Sequence, residues 1–190
     1  MKNFVYGLTL LALAFNSQAE QLYKIDETLS TVGFATIKKQ YIAESAVINH
    51  IQGMIDETGT LKATVPLAQI NTGIPIRDER LNQLFFKTDA YPNAEVIAKI
   101  PAEVLTSDQY ISRLSIPLSI TLMGATKEIT TSVNVIKTND ILSVSTSQPM
   151  IINALDFAIP EENLKKLAET VGNISISTSV PVSISIILSK

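Results

Sequence analysis

Ile174-Ser175-Ile176-Ser177-Thr178-Ser179-Val180-Pro181-Val182-Ser183-Ile184-Ser185-Ile186-Ile187-Leu188 is the stretch whose pattern decides the fold. Its even positions are apolar apart from Thr178, and serine takes most of the odd ones. A period of two puts all the even side chains on one face of an extended strand. The span exceeds the usual strand length, so a bend is expected, and Pro181, which offers no ladder donor, is the place for it. A long strand with one apolar face needs partners on both edges. A closed barrel or a two-sheet stack supplies them.

The same alternation recurs upstream. Leu114, Ile116, Leu118, Ile120 and Leu122 share one face, with Ser115, Pro117, Ser119 and Thr121 on the other. Pro117 predicts a sheet edge or a bulge at that point. Met123-Gly124-Ala125-Thr126-Lys127 turns the chain, Ile129, Thr131, Val133 and Val135 return it, and Asn139-Asp140 turns it again into Leu142–Thr146. Nearer the N-terminus, Gln21 to Ile25 opens a strand, and Ser30, Val32 and Phe34 share a face of its continuation. Ala46 to Ile55 reads as one extended run that forms a hairpin with Leu61, Ala63, Val65 and Leu67 across the Asp56–Thr60 turn. Ala94 to Ile100 is a further strand ending at Pro101. About eight strands in one-domain length predict an all-β protein, an antiparallel eight-stranded barrel.

Two segments break the alternation. In residues 77–87, charges at Arg77, Asp78, Glu79 and Arg80 precede Leu81, Leu84 and Phe85, whose spacing makes one apolar side of a short helix. Pro92 then restores extended backbone. With Phe85, Phe86 and Tyr91 as anchors, this piece is either a connector with an aromatic plug or a lid on a cavity. In residues 160–171, Pro160-Glu161-Glu162 is a helix start, Leu164, Leu167, Ala168 and Val171 form a stripe, and Gly172 is a stop. Spacing alone makes this second helix a surface brace.

The apolar run from Phe4 to Phe15 follows a positive head at Lys2, and Ser17 and Ala19 are small residues before Glu20. This predicts a signal peptide over residues 1–19, cleaved after Ala19, and a mature domain over residues 20–190. The chain has no cysteine and no tryptophan, a formal net charge of −3, and 6% aromatics. Disulfides and thiolate metal sites are thereby excluded, and an acidic balance offers little to nucleic acid. An exported chain without cysteine suits the periplasm. A membrane-integral barrel would carry aromatic girdles at both interfaces. The lack of tryptophan and the terminal Leu188-Ser189-Lys190 favour a water-soluble barrel with its apolar face inward.

Catalytic chemistry finds no support. His50 is the single histidine and reads as a solvated residue near a turn. The Asp56-Glu57 and Asp78-Glu79 pairs are sequential and point apart, and neither a nucleophile motif nor a glycine-rich phosphate loop occurs. No catalytic residue, metal ligand or cofactor is expected.

Four blocks carry a resemblance to a known family: Leu22-Tyr23-Lys24-Ile25-Asp26 with Ser30, Val32 and Phe34; Arg77-Asp78 with Leu81, Phe86 and Tyr91-Pro92-Asn93-Ala94; Leu122, Gly124, Thr126 and Lys127; and Asp156-Phe157 with Ile159. In this order they resemble the YceI-like family of exported, lipocalin-like barrels that bind polyisoprenoid lipids. Lys38 stands where such members often have histidine, Ala46-Val47-Ile48 replaces a Gly-x-Phe, and Phe85 replaces an acid. The helix from Pro160 looks like an insertion.

The resemblance implies non-enzymatic binding, sequestration or transport of a long-chain isoprenoid lipid or quinone, held as a ligand rather than a cofactor. Val32, Phe34, Leu118, Ile120, Leu122, Val180, Val182 and Ile184 are the expected wall residues, and Leu81, Phe85, Phe86 and Phe157 the mouth or plug. Transient membrane contact and a homodimer are both compatible with this reading. The rival is a filled barrel acting as a structural or protein-interaction module through its serine-rich outer face.

Overall fold

Strands built from a two-residue period bury one face only, and this chain buries it by closing its sheet on itself. The computed structural model describes residues 21–190. The leader expected over residues 1–19, with its cut before Glu20, lies outside the described residues.

Gln21–Ile25 (β1) and Thr31–Lys38 (β2) are two halves of one strand. Ile42–Ile48 (β3) and Gln52–Asp56 (β4) form the next, and Thr60–Pro66 (β5) with Ile70–Asn71 (β6) the third. Asn93–Lys99 (β7), Gln109–Leu122 (β8) and Ala125–Thr138 (β9) follow. Ile141–Thr146 (β10) and Met150–Asn153 (β11) share the seventh strand, and Ser179–Ser189 (β12) is the last. Each strand pairs antiparallel with its neighbour in sequence. Ile184↔Val32, Val182↔Phe34 and Leu188↔Ile25 then join the last strand to the first. The result is a closed eight-stranded antiparallel barrel with a few short helices, as the strand count predicts. Closure leaves no long free edge.

The breaks have local causes. Asp26 Oδ1 accepts from the amides of Thr28 and Leu29 at 2.9 and 3.1 Å, making the turn that parts β1 from β2. Ala46 to Ile55 is not one run: His50, at φ 57, divides β3 from β4. β4 then approaches β5 so closely that a Cβ on Gly53 would lie 2.8 Å from Ala63 Cα and 2.9 Å from Ile25 Cδ1. Only glycine fits there, at φ +155. The final run is also shorter than its alternation suggests. It enters the ladder at Ser179, and Ile176 keeps one isolated bridge to Lys38. Pro117 lies just beyond the β7–β8 pairing, whose last pair is Ala98↔Leu118, so β8 has a free edge there on the β7 side while Pro117 stays in register with Thr130 of β9.

The meander fixes which end each connection occupies. At one end lie Pro75–Arg80 (α1) with the π-helical turn Leu81–Phe86 that continues it; at the other lies Ala102–Thr106 (α2), which the sequence pattern does not announce. Glu161–Glu169 (α3) returns to the α1 end. Burial grades along the barrel between these ends. On β8, Ile116 and Leu118 are 7% and 6% exposed, whereas Ile120 and Leu122 are only half-buried. On β12, Ile186 and Leu188 are buried and Val180, Val182 and Ile184 half-buried. The α2 half is therefore the more closely packed one, around Tyr23, Ile25, Ile55, Leu142 and Leu188. The α1 half is hollow.

Candidate functional site

The hollow half holds a cavity of about 230 Å³. Its wall is the inward face of the strands, where a residue facing the centre is flanked by two that face out. Val32 and Phe34 on β2, Leu118, Ile120 and Leu122 on β8, and Val180, Val182 and Ile184 on β12 all line it. Leu81, Phe85 and Phe86 from the π-helical turn, with Phe157 from the Ala154–Phe157 turn, cover its end. The twelve side chains named from the sequence thus meet around a single space. The apolar face of the alternating strands is the inner one.

The lid is assembled by a few polar contacts. Asp78 accepts from the amide and hydroxyl of Thr72 at 2.9 and 2.5 Å, which sets the entry into α1. Arg77 reaches Glu44 on β3 at 2.9 Å, and Lys38 reaches the other oxygen of the same carboxylate at 2.5 Å. Because Glu44 faces Thr36 in register, and Thr36 lines the cavity, this ion triad stands on the inner rim of the barrel. A π-helical turn widens the helix by one residue per turn, and such turns recur at functional sites. Here it directs Phe85 and Phe86 to the cavity as an edge-on pair, with centroids 4.8 Å apart at 84°. Lys87, at φ 50, ends it.

The helix at Glu161–Glu169 is not the surface brace its spacing suggests. Leu164 and Leu167 line the cavity, and Asn163, 2% exposed, donates from Nδ2 to the Phe85 carbonyl at 2.9 Å. Val171, expected on the same stripe, is exposed. Ile48, Ile51, Val65, Leu67 and Met150 are further wall residues absent from the expected set. The hairpin alternation contained Val65 and Leu67. Ile48 and Met150 belong to short strand halves, and Ile51 lies in the break between β3 and β4.

Chemically the lining is one-sided. Its polar members are Thr36, Ser177 and Thr178, all at the lid end, and no acid, histidine, lysine or arginine lines it. His50 is exposed at its turn. Among the described residues no group of three or more histidine, cysteine, aspartate or glutamate side chains could hold a metal ion. Asp26 and Asp56 have pKa values held below the ordinary 3.8, chiefly by the hydroxyls of Thr28 and Thr58. Both sit in turns away from the cavity. The site offers apolar surface to a long apolar group, with hydroxyls at the lid end. No helix among the described residues is long and apolar enough to cross a membrane.

Known structures share this fold. A polyisoprenoid-binding domain from Saccharophagus degradans, implicated in plant cell wall breakdown, superposes with a TM-score of 0.83 at 25% identity, covering 90% of this chain and 99% of that one. BcnA of Burkholderia cenocepacia shares the fold with a TM-score of 0.62 at 14% identity, over 86% of this chain and 98% of its own. Comparison with curated proteins gives no match. The family model of the YceI-like domain matches residues 23–188, which runs from the first strand through nearly all of the last. By that match the chain belongs to the YceI-like family.

Proposed function

We propose that this protein is a non-enzymatic lipid binder of the periplasm, which encloses the tail of a long-chain isoprenoid or quinone and so sequesters or carries it. The observation that supports it most is the cavity itself: apolar wall, aromatic lid, and polar residues only at the lid end. A tail buried there gains about 0.8 kcal/mol per carbon removed from water. A few prenyl units therefore offset an association cost on the order of 4–15 kcal/mol without any polar contact. The hydroxyls of Thr36, Ser177 and Thr178 suit a polar head left near the lid. The polyisoprenoid-binding neighbour adds a precedent for the ligand class on the same fold. A barrel serving only as a structural module gains nothing from a hollow half, because unfilled space forfeits dispersion contacts.

The test is organic extraction of protein purified from its own host, followed by mass spectrometry, with delipidated protein then offered a prenyl quinone. A co-purifying prenyl lipid and retention of the probe are expected. Protein that carries no lipid and retains no probe would overturn the reading, and a co-purifying straight acyl chain would replace the ligand class.

A further inference from the structure

A second, smaller void of about 60 Å³ lies inside the packed half of the barrel. Leu61, Leu118, Ile184 and Ile186 line both spaces, so one ring of aliphatic side chains separates them. Ile116, Val135 and Leu142 face the lower void alone, and Val104 on α2 lies at its base. The floor beneath is fixed. Buried Lys137 donates from Nζ to the carbonyls of Leu105, at 2.9 Å, and Ser107, which ties the end of α2 to β9. The same amine stands 5.9 Å from the centre of the Tyr23 ring. No polar side chain lines the void. Space of that kind does not hold water, and its walls lack partners on one side.

We infer that the lower void is the terminal subsite for the tail held in the upper cavity. Leu61, Leu118, Ile184 and Ile186 are the waist it threads, and the α2 floor is the stop that sets the longest tail accommodated. The inference rests on the lipid-binding reading and adds a length rule to it. The waist is built of side chains that can change rotamer without giving up a hydrogen bond, so a slim branched chain can part them. The depth is that of the barrel. From Leu122 at the lid to Leu114 at the lower void, β8 runs roughly 27 Å, or ~20 Å along the axis at a usual strand tilt. A tail confined above the waist has only the upper part of that depth.

The experiment measures affinities of delipidated protein for farnesol and geranylgeraniol by displacement of a fluorescent prenyl probe. Two variants act on the lower void without touching the upper wall: Ile116→Phe fills it and Leu142→Ala deepens it. Wild type should prefer the longer tail. Ile116→Phe should weaken geranylgeraniol by at least about tenfold, since several buried carbons are expelled, and leave farnesol within about twofold. Leu142→Ala should shift the preference further toward the longer tail, and it decides the matter should Ile116→Phe fail to fold. Equal losses for both alcohols in Ile116→Phe, or an unchanged length preference in Leu142→Ala, would overturn the inference while leaving lipid binding intact. A wild type that holds no prenol of either length would remove the lipid-binding reading itself, and this one with it.

Discussion

Asn163 and Phe85 are joined by a hydrogen bond of 2.9 Å from the Asn163 Nδ2 to the Phe85 carbonyl, although they lie in different helices and far apart in sequence. The carbonyls at a helix end lack intrahelical partners. Phe85 is in the last turn of the lid, immediately before Lys87 turns left-handed, and its carbonyl finds its partner on α3. Asn163 is buried to make that bond. The two halves of the cavity's cover are therefore one unit, and a change in α3 reaches the aromatic pair above the cavity.

Asn163→Leu should test that coupling. The apolar side chain fills the space but leaves the Phe85 carbonyl without its donor, at a cost of about 1–3 kcal/mol. The denaturant midpoint of delipidated protein should fall accordingly, and a bound prenyl probe should leave faster. Lost stability with unchanged release would show that Asn163 supports α3 and does not hold the lid.

Most of the barrel was legible because alternation is a direct record of which face is buried. Leu118, Ile120 and Leu122 on β8, and Val180, Val182 and Ile184 on β12, stand on the cavity for the same reason that they alternate with serine, proline or threonine. The closing pairs Ile184↔Val32 and Leu188↔Ile25 could not be read that way, since register between the first and last strands depends on tertiary contact. His50 hides a strand break because its neighbours keep the extended pattern on either side, and only its positive φ divides them. Asn163 was missed for the opposite reason. Between Glu162 and Leu164 a polar residue reads as solvent-facing, and its partner carbonyl carries no sequence signal. α2 is a single short turn of helix after Pro101, below the length at which periodicity says anything.

Acid should act first at the turns. Asp56 accepts from the Thr58 hydroxyl at 2.6 Å, the Thr60 amide at 3.0 Å and the Thr58 amide at 2.9 Å, and its pKa is lowered in the folded chain from the ordinary 3.8. The Thr58 hydroxyl is the largest cause. A group that binds its proton more weakly when folded stabilises the fold above its unfolded pKa. That contribution is lost as pH falls from 3.8 through the lower folded value. Asp56→Asn should flatten this part of the stability profile, measured by chemical denaturation between about pH 5 and pH 2. Equal slopes in wild type and variant would show that the turn carries no proton-linked stability.

Ile120→Trp distinguishes a hollow barrel from a packed one with a single substitution. Ile120 faces inward in register with Val96, lines the upper cavity, and is half-buried where Leu118 below it is buried. In a packed core an added indole forces strain of roughly 1–3 kcal/mol. At the cavity wall it has space on one side, and it gains dispersion contacts that isoleucine does not reach. The delipidated variant should therefore keep or raise its denaturant midpoint while losing prenyl quinone binding. Leu118→Trp is the contrasting variant, because its side chain stands in the waist between the two voids and should be destabilised. Bound lipid raises apparent stability, so the midpoints are comparable only after lipid removal is verified. A destabilised Ile120→Trp would mean that the upper half closes onto itself when empty. A stable variant that binds prenyl quinone as tightly as wild type would mean that the tail takes another path through the barrel.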